Sequence, residues 1–241
     1  MPIPGVAEMP SEGMSEDCLF LHVFVPSTIK PEADKMAVMV WIHGGAFAFG
    51  TSSICPGGVL ATFNDVIVVS INYRLGVLGF LNIPGTEYKG NYGMLDQVLA
   101  LKWVQANIAS FGGDPNRVTI FGESAGGMSV SLHLVSPLSK SLFRRAIMQS
   151  GASSTPLYCG KVVNTDQLEL FAKLINCSLG PNHIECVRGK TVEDILTVQN
   201  GLTLPAYTDS QDIVNPKVDG FFCQICQKTC TKQVNTTRML M

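Results

Sequence analysis

Residues 117–127 read Arg-Val-Thr-Ile-Phe-Gly-Glu-Ser-Ala-Gly-Gly. The β-branched and aromatic residues before Gly122 predict a short strand, and the small residues after Ser124 open a segment of helical composition. A strand, a tight turn and a helix form the context in which Gly-X-Ser-X-Gly presents a nucleophilic serine. Gly122 and Gly126 leave room where the backbone doubles back, and the helix N-terminus favours developing negative charge. We therefore predict a nucleophile at Ser124; because the motif alone recurs by chance, an ordinary serine in a glycine-rich turn is the alternative.

The composition predicts a large apolar core and argues against some partners. Of the 241 residues, 17 are basic and 19 acidic, and a net charge of -2 does not favour nucleic acid or an anionic membrane surface. Charged residues make up 15% and hydrophobic residues 46%, with a mean hydropathy of +0.25. This balance is typical either of buried parallel strands in an α/β core or of part of a larger protein whose core is cut open. No apolar run reaches the ~18 residues of a transmembrane helix.

Strand-like apolar runs alternate with helical segments along the chain. We predict strands at 18–25, 36–42, 66–72 and 117–121, a helical turn and a further strand within 143–151, and helices at 92–111, 125–135, 165–174 and 191–199. Residues 50–60, residues 75–90 and the stretch from 177 to 186 predict loops. Gly112 and Gly113 end the helix at 92–111, and Asp114-Pro115 follows before the next strand. The helix at 92–111 has so little polar face that we expect most of it, Leu99 included, to be buried. The alternation predicts an α/β fold with a mostly parallel sheet flanked by helices.

A second glycine-rich turn, His-Gly-Gly-Ala at 43–46, follows the apolar run at 36–42. The tetrahedral intermediate of acyl transfer needs N–H donors aimed at its oxygen. Backbone donors of a glycine-rich turn can approach that oxygen closely, because no Cβ atom intervenes. Alone, such a turn is more often just a turn. Followed later in the chain by the motif around Ser124, it predicts an oxyanion hole.

Six ordered stretches carry a family resemblance. They are Ser-Glu-Asp-Cys-Leu-Phe-Leu at 15–21, Val-Trp-Ile-His-Gly-Gly-Ala-Phe at 40–47, Asn-Tyr-Arg-Leu-Gly at 72–76, Gly-Asn-Tyr-Gly-Met-Leu-Asp-Gln at 90–97, Asn-Ile-Ala-Ser-Phe-Gly-Gly-Asp-Pro at 107–115, and residues 117–127. With them the chain resembles the type B carboxylesterase/cholinesterase family of α/β-hydrolases. The resemblance implies hydrolysis of a small-molecule ester without a cofactor. It also implies Ser124 as the nucleophile, and the N–H groups of Gly45, Ala46 and Ala125 as the oxyanion hole. Ala46 stands where many members carry a third glycine.

The resemblance further implies an acid and a histidine that activate the serine, in the chain order serine, acid, histidine. After Ser124 only His133 and His183 occur. His133 follows nine residues later on the predicted helix, roughly 13 Å away at 1.5 Å per residue, so we expect it to pack rather than react. His183 has no acid between itself and Ser124 at the family's position. We therefore expect the acid and the histidine to lie beyond this chain, and little turnover by the chain alone.

The family pattern defines the expected domain organisation. We expect residues 1–222 to form a partial α/β-hydrolase domain, truncated at both ends and lacking the C-terminal strands and helices. Residues 223–241 then form a divergent, Cys-rich, disordered tail. Cys223, Cys226 and Cys230 in this tail have no fourth ligand at a zinc spacing, so we predict no metal site.

The resemblance also bears on covalent chemistry and compartment. It implies a disulfide between Cys177 and Cys186 and an ion pair between Arg74 and Asp96. The sequon Asn-Cys-Ser makes Asn176 a candidate glycosylation site. The N-terminus of this chain does not have the composition of a signal peptide. The family nevertheless implies secretion, the ER lumen or the cell surface.

The alternative function is a catalytically silent, cholinesterase-like binding or adhesion protein with a protein partner. Such relatives keep the fold and use its surface. The serine of the Gly-X-Ser-X-Gly motif argues against this alternative, because these relatives commonly lose it.

Overall fold

The computed structural model describes residues 15–27, 35–152, 165–180, 182–203, 215–217 and 219. The predicted domain boundary at residue 222 and the Cys-rich tail at 223–241 lie outside the described residues and stay predictions. None of the described helices has both the length and the apolar character needed to cross a membrane.

A single five-stranded sheet forms the centre of the described structure. Its strands are β1 (Leu21–Phe24), β2 (Met36–Ile42), β3 (Ile67–Ile71), β4 (Gly113–Glu123) and β5 (Arg145–Gln149). Their order across the sheet is β1-β3-β2-β4-β5. β1 runs antiparallel to β3, whereas the β3–β2, β2–β4 and β4–β5 pairs are parallel. The predicted α/β class with a mostly parallel sheet is confirmed.

Helices connect the strands and pack on the sheet. They are α1 (Gly58–Asn64), α2 (Gly76–Phe80), α3 (Tyr92–Asn107), α4 (Ala125–Val135), α5 (Thr165–Leu174), α6 (His183–Arg188) and α7 (Val192–Thr203). α4 packs against β2, β4 and β5, while α3 contacts β4 and α1 contacts β3. The predicted helices at 92–111, 125–135, 165–174 and 191–199 are confirmed as α3 with its 3₁₀ continuation at Ile108–Phe111, α4, α5 and α7.

The core explains the apolar runs. Every residue of β3 is buried; in β2, Val38, Val40 and Ile42 have no exposed surface, and Met39 and Trp41 between them are half-buried. Parallel strands covered on both faces need apolar residues at successive positions, which removes the alternation of a half-exposed strand. Burying each such side chain contributes about 1.5–3 kcal/mol. The expectation that Leu99 is buried is wrong: it is 64% exposed, because the outer side of α3 faces solvent while Leu101 faces the core.

A second apolar cluster joins α2 to the C-terminal helices. Its buried members include Val77 of α2, Phe171 of α5 and Ile195 of α7. Cys177 belongs to this cluster and forms a disulfide with Cys186, which confirms the pairing implied by the family resemblance. The disulfide therefore closes a loop over buried apolar surface.

Three short helices occur where loops were predicted. α1 begins inside the predicted loop 50–60, α2 lies in 75–90, and α6 begins inside the stretch between Cys177 and Cys186. Helices this short are not stable alone, so long-range packing decides whether they form. At α2, the Val77 N–H donates to Gln199 Oε1, 2.8 Å away and 122 residues later in the chain. The sequence around α2 alone therefore does not predict this hydrogen-bond partner.

The starts of β4 and β5 also differ from the prediction. β4 already begins at Gly113 and includes Pro115, both before the predicted strand at 117–121. The register between β2 and β4 shifts between Met36 and Val38, so this proline lies where the pairing is irregular and no ladder donor is needed. β5 begins at Arg145, and no helix precedes it within the predicted 143–151 segment.

Arg74 and Asp96 tie the chain after β3 to α3. Arg74 Nε and Nη2 each donate to the Asp96 carboxylate at 2.8 Å, and the Arg74 N–H donates at 3.0 Å. The Asp96 side chain is 6% exposed and that of Arg74 is 41% exposed. The ion pair implied by the family resemblance is confirmed as a bidentate contact.

We expect Asp96→Asn to lower the free energy of unfolding by about 2 kcal/mol, because an amide nitrogen at this buried position then faces the Arg74 donors. Glu185→Gln is the matched control. Its carboxylate pairs with Arg188 at 2.8 Å, but both side chains are more than 60% exposed. Its loss should cost no more than about 0.5 kcal/mol. Urea unfolding of both variants measures the difference, and equal losses would contradict the assigned role.

Candidate active site

Ser124 occupies the turn between β4 and α4 in a strained conformation. Its φ is 54° and its ψ is −120°, a region that residues with a side chain rarely adopt. The turn is held from both sides: the Ser124 N–H donates to Gln149 O at 2.8 Å, and the Met128 N–H donates to Ser124 O at 3.0 Å. The side chain is half-buried. The predicted strand, tight turn and helix are therefore present around Ser124.

The glycines of the motif are required by close backbone approach. A Cβ atom on Gly126 would lie 2.0 Å from the Ile42 carbonyl oxygen, and one on Gly122 would lie 2.6 Å from the Gly126 carbonyl carbon. A Cβ atom on Gly151, just after β5, would lie 2.3 Å from Ser124 O. The carboxyl ends of β2, β4 and β5 thus meet at the serine. Parallel sheets place functional groups at this edge.

The turn after β2 lies beside the serine. A Cβ atom on Gly44 would be 3.1 Å from Ser124 Cβ and 3.2 Å from the Glu123 carboxylate, so this acidic side chain also borders the site. Gly45, Ala46 and Phe47 have φ values of 105°, 54° and 59°. Phe47 is fully buried against Phe80, with ring centroids 5.2 Å apart, and anchors the turn to α2.

The predicted oxyanion donors have no internal acceptors. Among the described residues, the N–H groups of Gly45, Ala46 and Ala125 donate no hydrogen bond. Gly45 O accepts from the Ala48 N–H at 2.9 Å and the Phe49 N–H at 3.1 Å. Because C=O and N–H point in opposite directions across a planar trans peptide, the Ala46 N–H is turned away from those donors. Ala125 is the first residue of α4, where helix geometry leaves the N–H unpaired.

None of the four histidines, all within the described residues, hydrogen-bonds to Ser124. His133 is buried, with Nε2 2.9 Å from Gln97 Oε1 and Nδ1 2.6 Å from Ser139 Oγ. His183 is buried with Nδ1 3.1 Å from Cys177 O. His22 is exposed on β1, at the opposite edge of the sheet from β5. His133 therefore packs, as predicted, although through polar contacts that bridge α3 and α4.

Burial keeps two of these histidines neutral. It lowers the pKa of His133 from 6.5 to about 3. It also lowers the pKa of His43 to about 4, only partly opposed by a hydrogen bond to the Gly44 backbone. A buried imidazolium would lose its hydration without gaining a carboxylate partner. The hydrogen-bond partners found for the two rings are Gly44 O for His43, and Gln97 Oε1 and Ser139 Oγ for His133.

Sequence reasoning missed several residues that hold the site. Tyr73 and Gln149 contact the two turns only through space, from elsewhere in the chain. The position of Tyr73 just after a buried strand was the one available signal, because such positions lie at the carboxyl edge of the sheet.

Comparisons with known proteins agree with the α/β architecture. The profile of the Carboxylesterase family matches residues 3–240. Cocaine esterase from Homo sapiens is 49% identical over 193 residues, or 78% of this chain and 34% of that protein. Cholinesterase from Mus musculus is 46% identical over 219 residues, or 88% and 36%. A solved PNB esterase structure shares 38% identity at a TM-score of 0.78, covering 91% of this chain and 47% of its own. The chain thus spans about a third of the length of these curated relatives.

We expect Gly126→Ala to prevent the native turn, since its methyl group would overlap the Ile42 carbonyl oxygen at 2.0 Å. Soluble yield and the thermal unfolding midpoint should both fall. Gly201→Ala is the matched control, because nothing lies within 4 Å of the corresponding Cβ position in α7. That variant should gain about 0.5–1 kcal/mol of stability from helix propensity. A stable, soluble Gly126→Ala protein would contradict the close approach of the two backbones.

The pKa of His133 predicts an acid dependence of stability. Because the folded pKa of about 3 lies below the unfolded value of 6.5, the contribution is complete above pH 6.5 and is lost as the pH falls toward 3. His43 contributes in the same direction. In His133→Gln, the unfolding free energy should therefore fall less steeply as the pH decreases, by up to about 1.4 kcal/mol per pH unit. Denaturant unfolding between pH 7 and pH 4 measures this, and parallel curves for the two proteins would contradict it.

Proposed function

This chain belongs to the carboxylesterase family, and from that premise we propose that Ser124 is the nucleophile of a carboxylic ester hydrolase. The observation that carries the proposal is the strained serine between a strand and a helix, beside a turn with unpaired N–H groups. We assign the N–H groups of Gly45, Ala46 and Ala125 to the oxyanion hole. No cofactor enters the proposed chemistry.

The proposed reaction proceeds in two steps. Ser124 Oγ attacks the ester carbonyl carbon, a base accepts the hydroxyl proton, and the carbonyl oxygen becomes an anion among the three N–H donors. The alcohol leaves with the returned proton, and the acyl group stays on Ser124. Water then attacks the acyl-enzyme by the same route and releases the acid. The N-terminus of α4 further stabilises the anion.

The base is the component that the described residues do not bring to Ser124. We propose that the acid and the histidine of the triad come from residues outside these 241, and that 1–222 is a partial hydrolase domain. A serine hydroxyl without a base is a poor nucleophile at neutral pH. The chain alone should therefore hydrolyse esters slowly.

The proposed compartment is the secretory pathway. Asn176 is exposed and directly precedes the disulfide-bonded Cys177, so glycosylation and oxidation both fit this position. A shift in gel mobility on treatment with a peptide N-glycosidase would identify the modified protein.

A second candidate is a catalytically silent binding protein of the cholinesterase-like type. It is favoured by the lack, within the described part of the chain, of any histidine bonded to Ser124. In that case the fold presents its surface to a protein partner, and the serine has no chemical role.

Free imidazole can replace a missing base and so separates the two candidates. We expect the 241-residue chain to hydrolyse a p-nitrophenyl ester slowly, with a rate that rises with imidazole concentration. Ser124→Ala should remove the protein-dependent rate, leaving only the reaction of imidazole itself. Ser53→Ala, which alters an exposed serine, is the matched control and should keep the full rate.

Labelling by a fluorophosphonate at Ser124, promoted by imidazole, would support the same assignment. A rate equal to that of Ser124→Ala at every imidazole concentration would exclude an esterase of this design and favour the silent protein.

A further inference from the structure

We propose that His43 is a positioning residue that orients the Gly45 N–H, one of the donors assigned to the oxyanion hole. The inference rests on the function proposed above, because it concerns the same hole. It adds a role for a side chain that the proposed reaction does not use. His43 lies directly after β2, at the start of the turn beside Ser124.

The hydrogen bond of the ring defines its tautomer. His43 Nδ1 lies 2.8 Å from Gly44 O. A carbonyl oxygen only accepts, so the proton is on Nδ1 and the ring donates. His43 is 3% exposed, and its Nε2 is a buried acceptor with no partner in the described part of the chain. An apolar side chain would avoid this uncompensated burial, so the Nδ1 donor is what the histidine supplies here.

The surroundings hold the ring in this orientation. It stacks on Tyr73 with ring centroids 4.4 Å apart and an interplanar angle of 18°. The Tyr73 hydroxyl donates to His43 O at 2.9 Å, so one tyrosine fixes both the ring and the backbone of the histidine. On the other side, a Cβ atom on Gly50 would lie 2.4 Å from His43 Nδ1. The ring therefore has little freedom to rotate away from Gly44 O.

Fixing Gly44 O fixes the Gly45 N–H. These groups belong to one planar trans peptide and point in opposite directions, so a carbonyl held toward the His43 ring turns the N–H away from that ring. The neighbouring carbonyls are also held: His43 O by Tyr73, and Gly45 O by the Ala48 and Phe49 N–H groups.

The Gly44–Gly45 peptide is the one most able to rotate, because it is flanked by two glycines. Its carbonyl has no backbone donor among the described residues, and His43 supplies the one hydrogen bond seen there. Loss of that bond lets the peptide plane turn, which would replace an N–H donor by a carbonyl oxygen in the hole.

Two substitutions separate the effect of the Nδ1 hydrogen bond from the effect of ring stacking. His43→Asn places an amide nitrogen near the position of Nδ1 and keeps the hydrogen bond to Gly44 O. His43→Phe keeps the stacking on Tyr73 and removes the donor. In the ¹⁵N-labelled 241-residue chain, we expect the Gly45 amide resonance to stay in place in His43→Asn and to shift or broaden in His43→Phe. Thermal unfolding of both variants confirms that each is folded.

The imidazole-supported ester hydrolysis gives a second readout. Removing one oxyanion donor typically lowers kcat about 100–1000-fold. A peptide that is misoriented about 90–99% of the time should therefore lower it about 10–100-fold. We expect His43→Phe to lose this factor in kcat with little change in KM, and His43→Asn to stay within a few-fold of the wild type. A residue with only a structural role would not lower kcat at nearly constant KM in His43→Phe while leaving the rate of His43→Asn close to that of the wild type.

The outcomes test the positioning role of His43 separately from the proposed esterase function. An unchanged Gly45 resonance and rate in folded His43→Phe would overturn the positioning role. If the wild-type chain hydrolyses no ester, the proposed function fails, while the Gly45 resonance still decides the role of His43. Should His43→Phe not fold, the imidazole ¹⁵N spectrum of the wild type at pH 7 decides. A protonated Nδ1 with an unprotonated Nε2 supports the assignment, and the opposite tautomer overturns it.

Discussion

The backbone of β2 and the backbone of the serine turn approach each other too closely for any side chain to lie between them. Gly122 pairs with Ile42 in the sheet, and Gly126 faces the Ile42 carbonyl so closely that a Cβ atom would be 2.0 Å away. The turn that follows Ile42 and the turn that carries Ser124 are therefore held as one rigid unit. Both stand at the carboxyl edge of a parallel sheet, where several strand ends meet.

Within this unit the backbone carbonyls and the backbone N–H groups differ in their hydrogen bonding. The carbonyls of His43, Gly44, Gly45 and Ser124 all accept hydrogen bonds. The N–H groups of the donors assigned to the oxyanion hole have no acceptor in the described residues. Because buried backbone groups are normally paired, this cluster of unpaired donors is the feature that supports the proposed oxyanion hole. Its donors are main-chain groups, which is why Ala46 can stand where a glycine is common.

The presence of a histidine after Ser124 is not enough to make it a catalytic base. His133 and His183 are buried, and both hydrogen-bond to groups remote from Ser124. His133 joins α3 to α4 through Gln97, and so supports the helix that follows Ser124. The proposed nucleophile and the proposed oxyanion donors thus lie together here, while the proposed proton acceptor comes from elsewhere. This division follows the linear order in which α/β-hydrolases carry their triads.

Local pattern was sufficient for the elements that position the site. The strand, turn and helix around Ser124 and the glycine-rich turn after β2 follow from short-range sterics and periodicity, which nearby residues fix. The pairing of Cys177 with Cys186 and of Arg74 with Asp96 came from the family resemblance, because spacing alone names no partner.

The features that the sequence did not predict depend on contacts between distant parts of the chain. The helices α1, α2 and α6 are too short to be stable alone, and α2 begins against Gln199. The orientation of the Gly44–Gly45 peptide depends on a ring that Tyr73, 30 residues away, holds in place. The chain's own sequence thus specified the strand, turn and helix around Ser124 and the glycine-rich turn after β2, since these are properties of neighbouring residues. The direction in which each N–H points was set only by folding, because the groups that hold the carbonyls come together only in the packed sheet.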